Sequence, residues 1–410
     1  MEDRLSAALF AALCLAVLTA WIDSPWAAFP IYALIFATGL AGCLGCLWRP
    51  RRLFLPPLAA VPLAAAGLGF WQIGSGATLN RWATLNASLL WLADGVAFLV
   101  AAQLFLDSAR RERFLKWFLW FGVAVSVEAV LQLYSSHHRV FWHFPIRDPQ
   151  IPMGPFLYHN HFAAFCALLL PIALARAVAG ARRWLTPALM AATLGGAVMA
   201  SASRSGAVAV GMELALAMAL ATKPTRGAFG RSLQRPLVLL ALVAAFAAVA
   251  GWDTLWLRFH WGDDARLRYA RASLAMIQAA PWQGAGLGCW PTAYPMYATV
   301  DDGFIANQAH SDWLQWASEG GLPLAAVLLW FAAALTIRAL RSGWAIGIPA
   351  VFALALADYP FEKPAVALLL FTLAGALVAA KDRGTISPAV DGGADALVRA
   401  GPPGPALRPK

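Results

Sequence analysis

The chain has 410 residues, of which 60% are hydrophobic and 13% are charged, and its mean hydropathy is +0.64. A soluble globular protein needs more charge to cover its surface, so this composition excludes that class and indicates a protein of the lipid bilayer. The net charge of +10 suggests a nucleic-acid partner at first sight, but the basic residues fall in loops between apolar runs. Membrane topology explains that placement, so we expect no nucleic acid.

Apolar runs recur along the whole chain. A helix needs roughly 20 such residues to cross about 30 Å of hydrocarbon, and slightly fewer when flanking side chains reach the interface. The sequence therefore predicts an all-α polytopic membrane protein with about twelve transmembrane helices. The predicted spans are 5–21, 27–47, 53–71, 87–106, 117–133, 161–178, 185–199, 207–222, 237–252, 322–337, 344–357 and 365–380.

Basic residues cluster in every second loop, as the positive-inside rule requires of cytoplasmic loops. This pattern places both termini in the cytoplasm and leaves nine of the 31 Lys and Arg residues on the outer side. The clusters are Arg49, Arg51 and Arg52; Arg110, Arg111, Arg113 and Lys116; Arg182 and Arg183; Lys223, Arg226, Arg231 and Arg235; Arg338 and Arg341; and Lys381 and Arg383.

We divide the chain into N-terminal transmembrane helices over 1–134, a second membrane domain over 135–380, and a disordered cytoplasmic tail over 381–410. The second domain contains one long outer loop, 253–321, and a loop of that length is usually functional. Apolar periodicity predicts a helix over Asp264–Ala279 and another over about 307–319 within it. The second helix would carry Gln308, Asp312, Gln315 and Glu319 as a polar stripe.

Arg204 and His310 are the first candidates for chemistry. Arg204 lies between two apolar spans, where an arginine costs roughly 2.5–3.5 kcal/mol on insertion scales, so an anionic ligand such as a diphosphate is expected to compensate it. The alternative is a snorkelling or ion-paired arginine. His310 titrates near neutrality and can accept a proton from a sugar hydroxyl, although a structural histidine at the membrane interface is the simpler alternative.

Other polar groups give weaker signals. Two histidine groups lack carboxylate or thiolate partners at ligand spacing, so we predict no metal and no other cofactor. Three glycines form a turn whose amides can bind an anion. Three carboxylates within spans indicate either an ion pathway or interhelical hydrogen bonds. One histidine group is His159 with His161, and the other is His137, His138 and His143. The glycines are Gly284, Gly286 and Gly288, and the carboxylates are those of Asp94, Glu128 and Glu213.

Taken in order, six segments between positions 154 and 365 resemble the O-antigen ligase and polymerase superfamily of bacterial polysaccharide assembly. Each segment alone is weak, whereas their order, spacing and common outer placement are specific. They are Gly154-Pro155-Phe156 with Asn160-His161-Phe162-Ala163; Ser203-Arg204-Ser205-Gly206; Arg266 with Tyr269; Pro281-Trp282-Gln283-Gly284-Ala285-Gly286-Leu287-Gly288; Ala309-His310-Ser311-Asp312 with Glu319-Gly320-Gly321; and Asp358-Tyr359-Pro360-Phe361.

The resemblance implies a metal-independent glycosyltransferase of the bacterial inner membrane with its active site facing the periplasm. It would move a glycan from undecaprenyl diphosphate to a hydroxyl of an acceptor glycan, lipid A core or protein. By this resemblance Arg204 and His310 are catalytic, and substrate is bound by Arg266, Asn160, His161, Asp312 and Glu319. Ligase and polymerase both fit, and a transporter or flippase of lipid-linked sugars is the alternative from another class.

Overall fold

The computed structural model describes residues 1–48, 53–146, 152–178, 184–221, 264–300, 303 and 305–380. The predicted span at 237–252, the predicted tail at 381–410 and four of the six basic clusters lie outside these residues. The described part is built of helices joined by short links, apart from one two-residue hairpin, Arg139–Val140 (β1) with Phe144–Pro145 (β2). The all-α prediction is confirmed.

Thirteen α-helices follow one another in the described residues. They are α1 Glu2–Leu18, α2 Phe29–Trp48, α3 Ala60–Ser75, α4 Arg81–Leu104, α5 Ser108–Ser135, α6 His159–Val178, α7 Leu185–Ala200, α8 Arg204–Ala221, α9 Asp264–Ala279, α10 Trp290–Ala293, α11 Asp312–Ser342, α12 Gly347–Leu354 and α13 Pro364–Ala379.

Six of the described helical segments are long and apolar enough to cross a membrane: α2, the segment Pro57–Ser75 that includes α3, α4, α5, α6 and α11. Helices α7 and α13 are apolar but have 16 residues each. The predicted span at 344–357 contains only the eight-residue α12, which rises about 12 Å and cannot cross the hydrocarbon as a helix. The total of about twelve spans stays a prediction.

Close backbone contact holds the bundle together. Helix α4 packs along α3 and α13, and α6 packs against α7 and α8. A Cβ atom on Gly375 of α13 would lie 2.3 Å from the Phe98 carbonyl oxygen, and one on Gly347 of α12 would lie 2.2 Å from the Ala167 carbonyl oxygen. Small residues at these points let helices approach closely where hydrophobic transfer from water gives no driving force.

Ion pairs mark the two ends of the bundle. At one end Arg110 contacts Glu2 at 2.8 Å and Asp3 at 3.2 Å, so the N-terminus lies beside the basic loop before α5. At the other end Lys363 pairs with Asp23, which joins the link after α1 to the start of α13. These two ion-paired regions lie at opposite ends of α1, as the charge pattern predicts for them.

The outer part of the second domain agrees with the sequence in one helix and differs in the next. Helix α9 has the predicted bounds. Helix α11 was predicted to begin near residue 307, and that is wrong, because Ser311 caps it and it begins at Asp312. It also continues through the predicted span 322–337, with a break at Gly321, where the φ of 76° suits glycine and Leu322 N donates to Pro281 O at 2.8 Å.

Five of the six oxygens of the carboxylates within spans form no interhelical hydrogen bond among the described residues, although such bonds were one of the two explanations that the sequence offered. Both carboxylate oxygens of Glu128 and of Glu213, and Oδ1 of Asp94, are buried without a hydrogen-bond partner among the described residues. These side chains lie in helices α5, α8 and α4.

Candidate functional site

Five segments converge at the end of the bundle where Asp23 and Lys363 pair. They are the start of α6, the turn before α8, helix α9, the turn before α11, and the link between α12 and α13. They are far apart in the chain, and the contacts between them are side-chain hydrogen bonds and ring contacts. We call the residues that make these contacts, together with Arg204 next to Ser203, the outer cluster: Tyr158, Asn160, His161, Ser203, Arg204, Arg266, Tyr269, His310, Asp358 and Tyr359.

Asn160 is the hub of the outer cluster. Its amide nitrogen donates to Asp358 Oδ2 and to the Tyr158 hydroxyl, the latter at 2.8 Å. Its carbonyl oxygen accepts from the Ser203 hydroxyl at 2.6 Å. Ser203 Oγ also accepts from Gly206 N at 3.1 Å, as an N-cap residue does, and so fixes the start of α8, whose first residue is Arg204. One buried side chain therefore fixes the positions of three segments.

Arg266 joins the outer cluster through Tyr158, with which its guanidinium forms a hydrogen bond. Burial raises the pKa of the Tyr158 hydroxyl, and the nearby Asp358 raises this pKa further, whereas Arg266 opposes both effects. The phenol is therefore neutral at physiological pH. It connects a cationic side chain on α9 to the amide of Asn160 on α6.

Tyr359 is the centre of an aromatic group. Its ring stacks on Tyr158 with centroids 5.4 Å apart and meets the rings of His161 and His310 edge to face at 4.8 Å and 5.0 Å. The other side of the His310 ring stacks on Tyr269 of α9, with centroids 5.6 Å apart. His310 is thus held between two tyrosines, which fixes the plane of its ring.

Two residues of the site have left-handed backbones. Ala202 and His310 both have a φ of 53°, a conformation that is uncommon for residues with a Cβ atom. Ala202 directly precedes Ser203 and Arg204, and His310 directly precedes the cap of α11. Such strain persists where the surrounding contacts impose it, and it is concentrated at functional sites.

The seven predicted site residues fall into two groups by the solvent exposure of their side chains. Arg204, Arg266 and His310 are partly exposed, whereas the other four are buried. Asn160 and His161 belong to the outer cluster, and His161 hydrogen-bonds to the backbone of Tyr359. Direct contact between substrate and the buried residues stays a prediction. The four buried residues are Asn160, His161, Asp312 and Glu319.

Asp312 and Glu319 lie behind the outer cluster on the predicted polar stripe. Asp312 Oδ2 accepts from Phe361 N at 3.1 Å, and Gln315 Nε2 donates to Glu362 Oε1 at 2.7 Å. Burial raises the pKa of the Glu362 carboxyl, and Lys363 opposes this effect. The stripe therefore faces the link before α13 rather than solvent.

The predicted glycine turn is present, and a side-chain carboxyl of the protein occupies its amides. Gly284, Gly286 and Gly288 all have positive φ. The amides of Gly288 and Trp290 donate to the Glu319 carboxylate at 2.8 Å and 3.0 Å. Glu319 thus closes this turn onto α11, away from the rings that hold His310.

Sequence reasoning assigned no site role to five members of the outer cluster. Four of these stand within the segments that carry the family resemblance, so the sequence contained a signal for them, but no spacing rule connects them to Asn160. Tyr158 stands just before the Asn160 segment. The five are Tyr158, Ser203, Tyr269, Asp358 and Tyr359.

Helix length, apolarity and this polar cluster at one end define the class: a multi-pass α-helical membrane protein whose site joins two arginines, a histidine and hydrogen-bonding tyrosines. Residues 189–329 match the family described as O-antigen ligase. The predicted resemblance to this ligase and polymerase family is confirmed, and the family implies a lipid-linked glycan and an acceptor as substrates. No curated protein shows significant similarity to the chain. Among the described residues, no three His, Cys, Asp or Glu side chains are grouped as metal ligands.

Proposed function

We propose that this protein is a metal-independent glycosyltransferase of the bacterial inner membrane that moves a glycan from undecaprenyl diphosphate to an acceptor hydroxyl at the periplasmic face. The reaction is that of an O-antigen ligase or polymerase. The observation that carries the proposal is that Arg266 and His310 belong to one network through Tyr158 and Tyr359, and that Arg204 directly follows Ser203, which donates to Asn160 of the same network.

The two arginines supply the positive charge that diphosphate departure needs. A guanidinium is permanently charged and can bind phosphate oxygens in bidentate fashion. Arg204 is the first residue of α8, where the partial positive charge of the helix N-terminus adds to its own. Charge of this kind, fixed before the reaction, stabilises the negative charge that develops on the leaving group.

His310 is the proposed base for the acceptor. The acceptor oxygen attacks the anomeric carbon of the donor sugar, and its proton passes to the imidazole. The bond between that carbon and the diphosphate oxygen breaks, and its electron pair leaves with undecaprenyl diphosphate. The two tyrosine rings that hold His310 keep the imidazole in one orientation for this transfer.

The buried predicted residues act in this proposal by positioning. Asn160 fixes the turn that presents Arg204, and His161 fixes Tyr359. Asp312 N donates to Asp358 O at 3.0 Å, and Glu319 holds the glycine turn. Each of these contacts sets the place of a residue in or beside the outer cluster.

The test is turnover of undecaprenyl diphosphate oligosaccharide by the purified protein in nanodiscs, measured both with and without chelator. We expect Arg204→Ala, Arg266→Ala and His310→Ala each to lower turnover by about 10²- to 10³-fold. Matched controls are Arg271→Ala, an exposed arginine on the same helix as Arg266, and His143→Ala, an exposed histidine of the β-hairpin region. Both controls should keep wild-type turnover.

The outcomes of this assay distinguish the polymerase, ligase and transporter functions. A ladder of products identifies a polymerase, and a single adduct identifies a ligase. Unchanged turnover in the three variants would remove these residues from the mechanism. No turnover by wild type with several acceptors would contradict the transferase and favour the transporter, and turnover that stops with chelator would contradict metal independence.

A further inference from the structure

A cavity of about 300 Å³ opens beside the outer cluster at the same end of the bundle. The link after α1, the start of α2, the outer turns of α4 and the start of α13 form its walls. Its volume is at the lower end of the range in which proteins bind small ligands. The transfer chemistry proposed above uses none of the residues that line it.

The lining favours a neutral polyhydroxylated ligand. Asp23, Glu362, Asn86 and the Tyr32 hydroxyl offer oxygen acceptors, and Oδ1 of Asn86 is buried with no hydrogen-bond partner among the described residues. Phe29 and Tyr32 add aromatic rings against which C–H groups can pack. This combination of acceptors and rings suits a sugar.

The charges of the cavity disfavour the diphosphate. Among the described residues that line it, the one cation, Lys363, is already paired with Asp23, and Glu362 adds a second carboxyl group. Like charges placed opposite each other weaken binding, so an anionic carrier is directed to the arginines of the outer cluster instead. The cavity and the arginines therefore suit different halves of a transfer reaction.

Tyr359 joins the cavity to the outer cluster. Burial raises the pKa of the Tyr359 hydroxyl first, and the charges of Asp358, Asp23 and Glu362 add to this effect, so two carboxylates of the cavity wall lie within electrostatic reach of it. The ring of the same tyrosine meets His310 with centroids 5.0 Å apart. Glu362, which lines the cavity, donates its backbone N–H to Tyr359 O at 3.4 Å, so the cavity wall is connected to the proposed base through Tyr359.

We propose that this cavity binds a sugar unit of the acceptor glycan and presents its hydroxyl toward His310 past Tyr359. This inference rests on the proposed transferase function, because it names the place of the acceptor in that reaction. It divides the outer end of the protein into a cationic donor half and an acidic, aromatic acceptor half.

The test uses two saccharide probes freed of lipid: the oligosaccharide repeat unit of the source strain and its lipid A core oligosaccharide. Saturation-transfer NMR on the full chain in nanodiscs measures their binding. Asn86→Leu removes a hydrogen-bond acceptor from the cavity wall, and Ser24→Trp places a large ring at the exposed rim of the cavity. Ser75→Trp, at an exposed serine outside the cavity, is the matched control.

We expect one probe to bind wild type and Ser75→Trp equally, and to bind both cavity variants about tenfold or more weakly, with a matching rise in acceptor KM and no change in donor KM. No saturation transfer in wild type, or equal signals in all four proteins, would overturn the cavity assignment. Turnover with an unchanged acceptor KM would overturn it while leaving the transferase intact. Cavity-dependent binding without any turnover would refute the transferase and therefore the acceptor role.

Discussion

The bundle and the outer cluster of this protein are held together by different means. In the bundle, α13 approaches α4 so closely that Gly375 has no room for a Cβ atom beside the Phe98 carbonyl. In the outer cluster, Asn160 connects residues 43 and 198 positions away through side-chain hydrogen bonds. Close contact between backbones holds the bundle together, whereas hydrogen bonds between buried polar side chains hold the outer cluster together.

This difference teaches where substitutions should affect stability and where they should affect activity. A helix contact made of small residues has no chemistry to lose, so its disruption lowers the amount of folded protein. A polar hub that positions reactive side chains loses geometry first, and misplacement of about 1 Å can cost 10²-fold in rate. Four substitutions, one of them a matched control, can break or sharpen this contrast.

The largest effect is expected for Asn160→Ala. The substitution removes the hydrogen bonds to Asp358, Tyr158 and Ser203 and releases the turn that presents Arg204. We expect turnover per folded molecule to fall about 10²-fold, with a loss of stability of about 1–3 kcal/mol because Asp358 loses a buried partner. Turnover assays and thermal unfolding in nanodiscs measure the two effects. Wild-type turnover at reduced stability would contradict a positioning role.

Gly375→Val should have the opposite profile. A Cβ atom at this position would lie 2.3 Å from the Phe98 carbonyl oxygen and 3.0 Å from the Ala101 Cβ, so α13 must move away from α4. Overpacking of this kind costs about 1–3 kcal/mol. We expect a lower unfolding temperature, with unchanged turnover for the molecules that remain folded.

Gly67→Ala is the matched control, because a Cβ atom there would meet nothing within 4 Å and the residue is an exposed position of α3. It should leave stability unchanged or raise it by up to about 1 kcal/mol, since alanine loses less backbone freedom in a helix than glycine does. Equal losses of stability at both glycines would argue that helix contact is not the cause.

The smallest effect concerns pH and Glu362, whose raised pKa means that the folded state holds this proton more tightly than the unfolded state. Stability should therefore fall as the pH rises from the ordinary carboxyl pKa of 4.5 toward the raised one, by up to about 1.4 kcal/mol for each pH unit in that interval. In Glu362→Gln the hydrogen bond from Gln315 can remain, and the pH slope of unfolding temperature in this interval should flatten. An unchanged slope would exclude Glu362 as its source.

Sequence reasoning worked where the pattern was local. The stripe of apolar residues gave α9 with its correct bounds, and steps of three and four placed Asp312, Gln315 and Glu319 on one buried face. It failed at residue 307, since helical periodicity continued through a stretch where His310 has a left-handed backbone. Ser311 was a readable N-cap signal for the true start.

Other parts of the site are not encoded locally. The candidates Arg204, Arg266 and His310 follow from charge, placement and family resemblance, whereas the position of Tyr359 between His310, His161 and Tyr158 depends on how four segments fold together. Likewise, nothing in the spacing of the three glycines shows that Glu319 would occupy the amides of their turn.

That occupied turn has a consequence for selectivity. Free backbone amides beside a site for a charged lipid would compete with guanidinium groups for the same phosphate oxygens. The backbone N–H groups of Gly288 and Trp290 already donate to Glu319, so this competing phosphate site is occupied by a side chain of the protein. In the proposed reaction, a diphosphate at this end of the bundle would find the amides of the turn already bound to Glu319 and cations at Arg204 and Arg266, so a side chain of the protein itself blocks an unproductive binding mode.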